Sequence, residues 1–219
     1  MRYFIKIVLL GLSFSAFGQR QNYFVEFAPT ATFGHVRNSL HYNHAGGSLK
    51  GGFSAGLGMA ISLQKRSNWY FVLMAMFNQR QFELNRLQPY SSDPLSVTPL
   101  LRTTYGTEAL LGIMRKVPLT PHRNVTLMAG LTQDIVGKQY QKTFVPLGPV
   151  RQSETFGVGS ITLRNRAFVR AGMEWRVASK LALAIEGSFS AEIKPPFVAT
   201  IDKLNPLVFG LHLRVIGVP

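Results

Sequence analysis

Between residues 50 and 64 the chain alternates almost without error. Phe53, Ala55, Leu57, Met59, Ile61 and Leu63 fall on one side, and Gly52, Ser54, Gly56, Gly58, Ala60 and Ser62 on the other. Successive side chains of a strand point to opposite faces, so this segment is a strand with one oily face and one small or polar face. Further down the chain the second face carries charge. Thr162, Arg164, Arg166, Arg170, Glu174 and Arg176 oppose Ile161, Leu163, Ala167, Val169, Ala171, Met173, Trp175 and Val177. Glu186, Ser188, Ser190 and Glu192 oppose Leu181, Leu183, Ile185, Phe189 and Ile193, while Gly210, His212 and Arg214 oppose Leu207, Phe209, Leu211, Leu213 and Val215. A sheet with this polarity is satisfied when it closes on itself in lipid, with its charges turned inward.

Period-two segments and their punctuation predict eight strands, at 22–36, 50–64, 69–84, 103–117, 125–137, 161–177, 181–193 and 207–216. The connectors between them run long, short, long, short, long, short, long, at 37–49, 65–68, 85–102, 118–124, 138–160, 178–180 and 194–206. That asymmetry predicts an all-β fold: a single eight-stranded antiparallel up-and-down transmembrane β-barrel with short periplasmic turns and long extracellular loops. Pro89, Pro94, Pro99, Pro146, Pro149, Pro195, Pro196 and Pro206 fall in the long connectors, where a missing amide breaks no ladder. Pro29 lies inside the first strand and predicts a bulge or bend there. Trp69, Tyr70 and Trp175 sit beside short turns, as an interfacial aromatic belt would place them.

Residues 1–18 read as a secretory signal peptide, with Arg2 and Lys6 ahead of the apolar run and a small-residue stretch ending at Gly18. Residues 19–219 then form the barrel domain, and the cell outer membrane is its expected location. The apolar runs are too short for spanning helices, which excludes a helical membrane protein. The absence of cysteine excludes a disulfide framework or an acylated lipoprotein. Lys and Arg outnumber Asp and Glu by 24 to 10, but the bases are scattered and accompany no nucleic-acid motif. Outer-membrane lipid and phosphate-rich lipopolysaccharide are the expected neighbours, and no nucleic acid.

An eight-stranded barrel has an interior just wide enough for side chains to fill. The expected lumen charge network is Glu26, Glu108, Asp134, Arg164, Arg166, Arg170, Glu174, Arg176, Glu186, Glu192, His212 and Arg214. Pairing is the physical expectation, because an unpaired charge in so narrow a space costs several kcal/mol. A water-soluble lipocalin-like barrel would reverse the faces. The glycines at 56, 58, 106, 112, 130, 172 and 210 share the charged or small face, which fits packing against bulky Arg and Glu better than an oily ligand pocket.

With these strands in place, the segments 104–113, 125–131 and 207–216 resemble the small outer-membrane β-barrel domain proteins of Bacteroidota-type bacteria, a loose porin-like family that includes PorT-like barrels. The resemblance implies outer-membrane residence, handling by the barrel assembly machinery, and a structural, adhesion or secretion-scaffold role with an envelope protein partner met through the extracellular loops. Such barrels commonly end in an aromatic residue, whereas this sequence ends Ile216-Gly217-Val218-Pro219.

Other readings are a narrow porin or a lipid A-modifying enzyme, an acylase or deacylase using His, Ser and a carboxylate near the outer rim. For the enzyme, His35, His41 and His44 lie in or near the first long connector with Ser39 and Ser48, and Glu83 belongs to the next hairpin. No complete catalytic constellation is visible, His41 and His44 lack a third metal ligand, and no cofactor motif appears, so no catalytic, metal or cofactor residue is assigned.

Overall fold

Every strand of the barrel pairs antiparallel with its neighbours around a closed ring. The computed structural model describes residues 21–36, 49–63, 68–87, 97–143, 152–154, 162–193 and 204–218. The strands are β1 (Gln21–Val36), β2 (Lys50–Ser62), β3 (Trp69–Leu87), β4 (Val97–Thr120), β5 (Arg123–Thr143), β6 (Gln152–Glu154), β7 (Thr162–Ala178), β8 (Leu181–Glu192) and β9 (Leu204–Gly217). Eight form the ring, in the order β4-β3-β2-β1-β9-β8-β7-β5, closed by the β4–β5 ladder. The short β6 hangs on the far end of β5 through Gln141↔Glu154. The signal-peptide residues 1–18 lie outside the described residues.

Following paired residues around the ring leads from Tyr23 through Met59, Leu73, Leu111, Leu131, Ala167, Ala191 and Leu207 to Phe33, ten residues further along the starting strand. That stagger tilts the strands by about 40° and leaves a bore that side chains fill. Where side chains are described, even-numbered residues face inward on all eight ring strands, except at the turn-side ends, where Pro118, Thr120, Arg176 and Ala178 are exposed.

The outward wall is apolar, with Leu57, Leu131 and Val169 each more than half exposed. On β4 the band runs between Arg115 and Thr107, eight residues apart, and on β7 between the amphipathic Trp175 and Asn165, ten apart. At about 3.4 Å per residue and that tilt, the oily band is roughly 20–25 Å tall, the height of a bilayer's hydrocarbon as barrels meet it. Phe27, Phe53, Phe77 and Tyr105 form a ribbon of outward rings with centroids 6.4, 6.1 and 6.4 Å apart. This polarity is the reverse of a lipocalin-like barrel.

Four strands run past their predicted ends. Residues 85–87 and 97–102, expected in a long connector, continue the β3–β4 ladder as far as Leu87↔Val97, with Pro99 opposite Asn85. β5 likewise reaches Thr143, into the expected connector 138–160, and β9 begins at Leu204 with Pro206 opposite Gly34. Beyond the oily band a strand no longer needs an apolar face, so its sequence reads as loop. Pro29 introduces a gap rather than a bulge: the β1–β9 pairs stop at Phe27↔Leu213 and resume at Thr30↔Gly210 with no residue gained. A proline has no amide to give that ladder. A bulge lies instead in β5, where Tyr105↔Lys138 and Gly106↔Val136 leave Gly137 as the extra residue.

Candidate functional site

The lumen holds an ionic half and an oily half. Strand β7 threads the ionic part, sending Glu174, Arg170 and Arg166, four residues apart, into three successive tiers.

Nearest the β4–β5 turn, Lys116 Nζ lies 2.6 Å from Glu174 Oε2, 5.0 Å from the Tyr70 ring centroid, and Asn124 donates to Glu174 at 3.3 Å. In the middle tier Arg170 Nη1 meets both Glu26 oxygens at 2.9 Å, Arg214 pairs with Glu186, and Thr126 donates to Glu186 at 2.6 Å. His212 Nδ1 lies 2.6 Å from Glu26 Oε1, and its Nε2 lies 2.7 Å from Ser188 Oγ. In the tier towards the loops, Arg166 Nη2 lies 3.0 Å from both Glu108 and Asp134, while Arg80 reaches Glu108 at 2.5 Å and also pairs with Asp134. Asn78 adds donors to both carboxylates at 3.4 and 3.3 Å.

Among the described residues the buried cations are Arg80, Lys116, Arg166, Arg170 and Arg214, and the buried carboxylates are Glu26, Glu108, Asp134, Glu174 and Glu186, five against five. Each tier is formally neutral, with one cation per carboxylate. Pairing of this kind offsets the desolvation that an isolated ion in the bore would suffer. The chain's +14 formal charge is therefore carried outside this network.

Of the residues expected in the network, Glu26, Glu108, Asp134, Arg166, Arg170, Glu174, Glu186, His212 and Arg214 are buried in these tiers. Arg164 and Glu192 are half-buried at the loop side, opposite Asp134 and Arg166 in the ladders. Arg176 is a correction: it is exposed and donates to the Ser179 carbonyl at 2.6 Å, because the β7–β8 turn begins beside it. Tyr70 is another, since its even position turns it inward against the oily cluster. Trp69 faces out with the Arg115 guanidinium 5.3 Å from its ring, and Trp175 also takes an outward position. Of the loop residues considered for an enzyme, His35 is in β1 opposite Asn205 and Glu83 is in β3 opposite Leu101, while Ser39, His41, His44 and Ser48 lie outside the described residues.

Arg80, Lys116, Asn78 and Ser188 stand outside the network that the sequence predicts. Their shared parity with Glu108 and Glu186 is the signal that finds them. The oily half was not anticipated either: Phe24, Val72, Met74, Met76, Leu110, Met114, Met128 and Phe168 pack together beside the ion pairs. The inward glycines mostly serve these groups rather than Arg and Glu. A Cβ at Gly58 would lie 2.4 Å from the Phe24 ring, and one at Gly130 would meet Leu111 O at 2.1 Å and Phe168 at 2.9 Å.

No family model matches the sequence, and no curated protein does. Among solved structures the chain is similar to Ail, the attachment invasion locus protein of Yersinia pestis, in complex with the heparin analogue sucrose octasulfate, at 11% identity over 90% of this chain and 98% of that one, TM-score 0.39. It is similar to Neisserial surface protein A at 13% identity over 88% and 96%, TM-score 0.42. The outer membrane protease OmpT from Escherichia coli gives 9% identity over 91% and 97%, TM-score 0.47.

Proposed function

We propose that this is an outer-membrane barrel of the small Bacteroidota type, PorT-like in pattern, whose lumen is closed to ions and whose work at the cell surface is structural, adhesive or scaffolding. The barrel resides in the outer membrane, its oily band in hydrocarbon and its loop end outside the cell. Residues 1–18 act as the signal peptide, and residues 19–219 are delivered to the barrel assembly machinery. The observation that carries this reading is the neutral, hydrogen-bonded packing of the bore inside an apolar wall, which leaves the loop end as the surface for partners. The β3–β4 ladder continues beyond the band to Leu87↔Val97, giving that end a stiff support. The positive balance outside the lumen suits contact with lipopolysaccharide phosphates. Single-channel recording in planar bilayers tests the closed bore: a silent membrane at neutral pH is the expected result, and steady ion steps would replace this reading with a narrow porin.

A further inference from the structure

Within the middle tier, Glu26, His212 and Ser188 stand in a row across the adjacent strands β1, β9 and β8. The carboxylate meets His212 Nδ1 at 2.6 Å, and Nε2 meets the Ser188 hydroxyl at 2.7 Å. A carboxylate on Nδ1 holds that nitrogen as the N–H, so the Nε2 lone pair is left to accept from the hydroxyl. This is the arrangement by which a base activates a weak nucleophile.

Three further observations go beyond what packing requires. Burial is graded along the row: Glu26 and His212 are buried, whereas Ser188 is half-buried. Gly210 is the ladder partner of Ser188, and a Cβ there would come within 2.8 Å of both Ser188 Oγ and His212 Nε2, so the pair can close to hydrogen-bond distance only because residue 210 carries no side chain. Half-buried Thr30 and Gly52 continue this small-residue side of the bore from Gly210 towards the loops.

We propose that Ser188 is a nucleophile, with His212 as its general base and Glu26 as the residue positioning that base, acting on carboxylic esters slim enough to enter the loop-side lumen. The Ser188 oxygen bonds to the ester carbonyl carbon as its proton passes to His212 Nε2. The tetrahedral adduct collapses, the carbon–alkoxy bond breaks, and the departing alcohol takes the proton from His212. Water then attacks the acyl-serine by the same route, releasing the acid and restoring Ser188. No oxidant or metal is needed, and water is the one co-reactant.

The test uses the refolded full barrel in detergent, with a fluorophosphonate as covalent probe and p-nitrophenyl acetate as ester. The folded fraction of each variant is read by heat-dependent gel mobility. The expected result is one adduct per barrel at Ser188, a burst of one p-nitrophenolate, and no adduct in Ser188→Ala. His212→Asn, Glu26→Gln and Gly210→Ala should each label at least 10-fold more slowly per folded barrel. Gly210→Ala is the most telling, because it removes no member of the row. An unlabelled wild-type barrel would overturn the proposal. So would labelling of Ser188→Ala at the wild-type rate, or a His212→Asn barrel as reactive as the wild type.

Discussion

The two halves of the lumen solve one problem by different physics. On the β7, β8, β9 and β1 side, guanidinium and carboxylate groups meet across strands at fixed distances, as in Arg170 with both Glu26 oxygens at 2.9 Å. On β3, β4 and β5, between the loop-side tier of Arg80, Glu108 and Asp134 and the turn-side Lys116, Met74, Met76, Met114 and Met128 fill the bore with flexible thioethers around Phe24 and Phe168. Dispersion contacts tolerate small shifts of register, whereas ion pairs do not. A strand slipped by one residue would also turn every charge on β7 into the lipid. The ionic half therefore enforces register, and the oily half adapts to it. Arg214 joins them, with its guanidinium 5.1 Å from the Phe24 ring centroid and 3.9 Å from Met114 Sδ.

The sharpest way to break this contrast is to remove one ion. Arg166→Met leaves Glu108 and Asp134 sharing Arg80 alone, and the unfolding free energy in urea and detergent should fall by about 3–5 kcal/mol. A loss below 1 kcal/mol, to about the level of the methionine swap below, would mean that water, not pairing, satisfies those carboxylates. Next in size is a charge on the opposite face: Leu131→Arg should cost about 2–4 kcal/mol in a bilayer, since that residue is 56% exposed at mid-band.

In the oily half the effects are smaller. Gly130→Ala places a Cβ 2.1 Å from Leu111 O, a backbone atom that cannot swing aside, and overpacking of that kind costs about 1–3 kcal/mol. A neutral result would show that β4 and β5 separate there with little resistance. Smallest is Met128→Leu, for which a volume-conserving exchange should cost less than about 1.5 kcal/mol. A loss as large as that of Arg166→Met would erase the distinction between the halves.

The same contrast explains what could be read from sequence. On β7 the two faces differ sharply, Arg166, Arg170 and Glu174 against Ala167, Val169 and Ala171, so the inward side was plain. On β3 both faces are oily, with Val72, Met74 and Met76 inside and Phe71, Leu73 and Ala75 outside, so alternation there does not tell inside from outside. Arg80 and inward-facing Tyr70 were missed for that reason, and Lys116 because it follows Leu110, Gly112 and Met114 on an apolar inner face. Strand ends failed where the ladder leaves the oily band, because polar runs such as residues 138–143 carry no face signal even when paired. The row Glu26, His212 and Ser188 depends on register across the first and the last two strands, and spacing along one strand does not supply it.

Because the sequence contains no cysteine, single cysteines can be introduced along β5 and spin-labelled in lipid vesicles. Collisions with dissolved oxygen should rise at 127, 129 and 131 and fall at 128, 130 and 132, giving a period of two with its maxima on the odd residues. Maxima on the even residues, or a flat profile with the protein folded in buffer free of detergent and lipid, would contradict a barrel that faces hydrocarbon with its oily wall and keeps its ions inside.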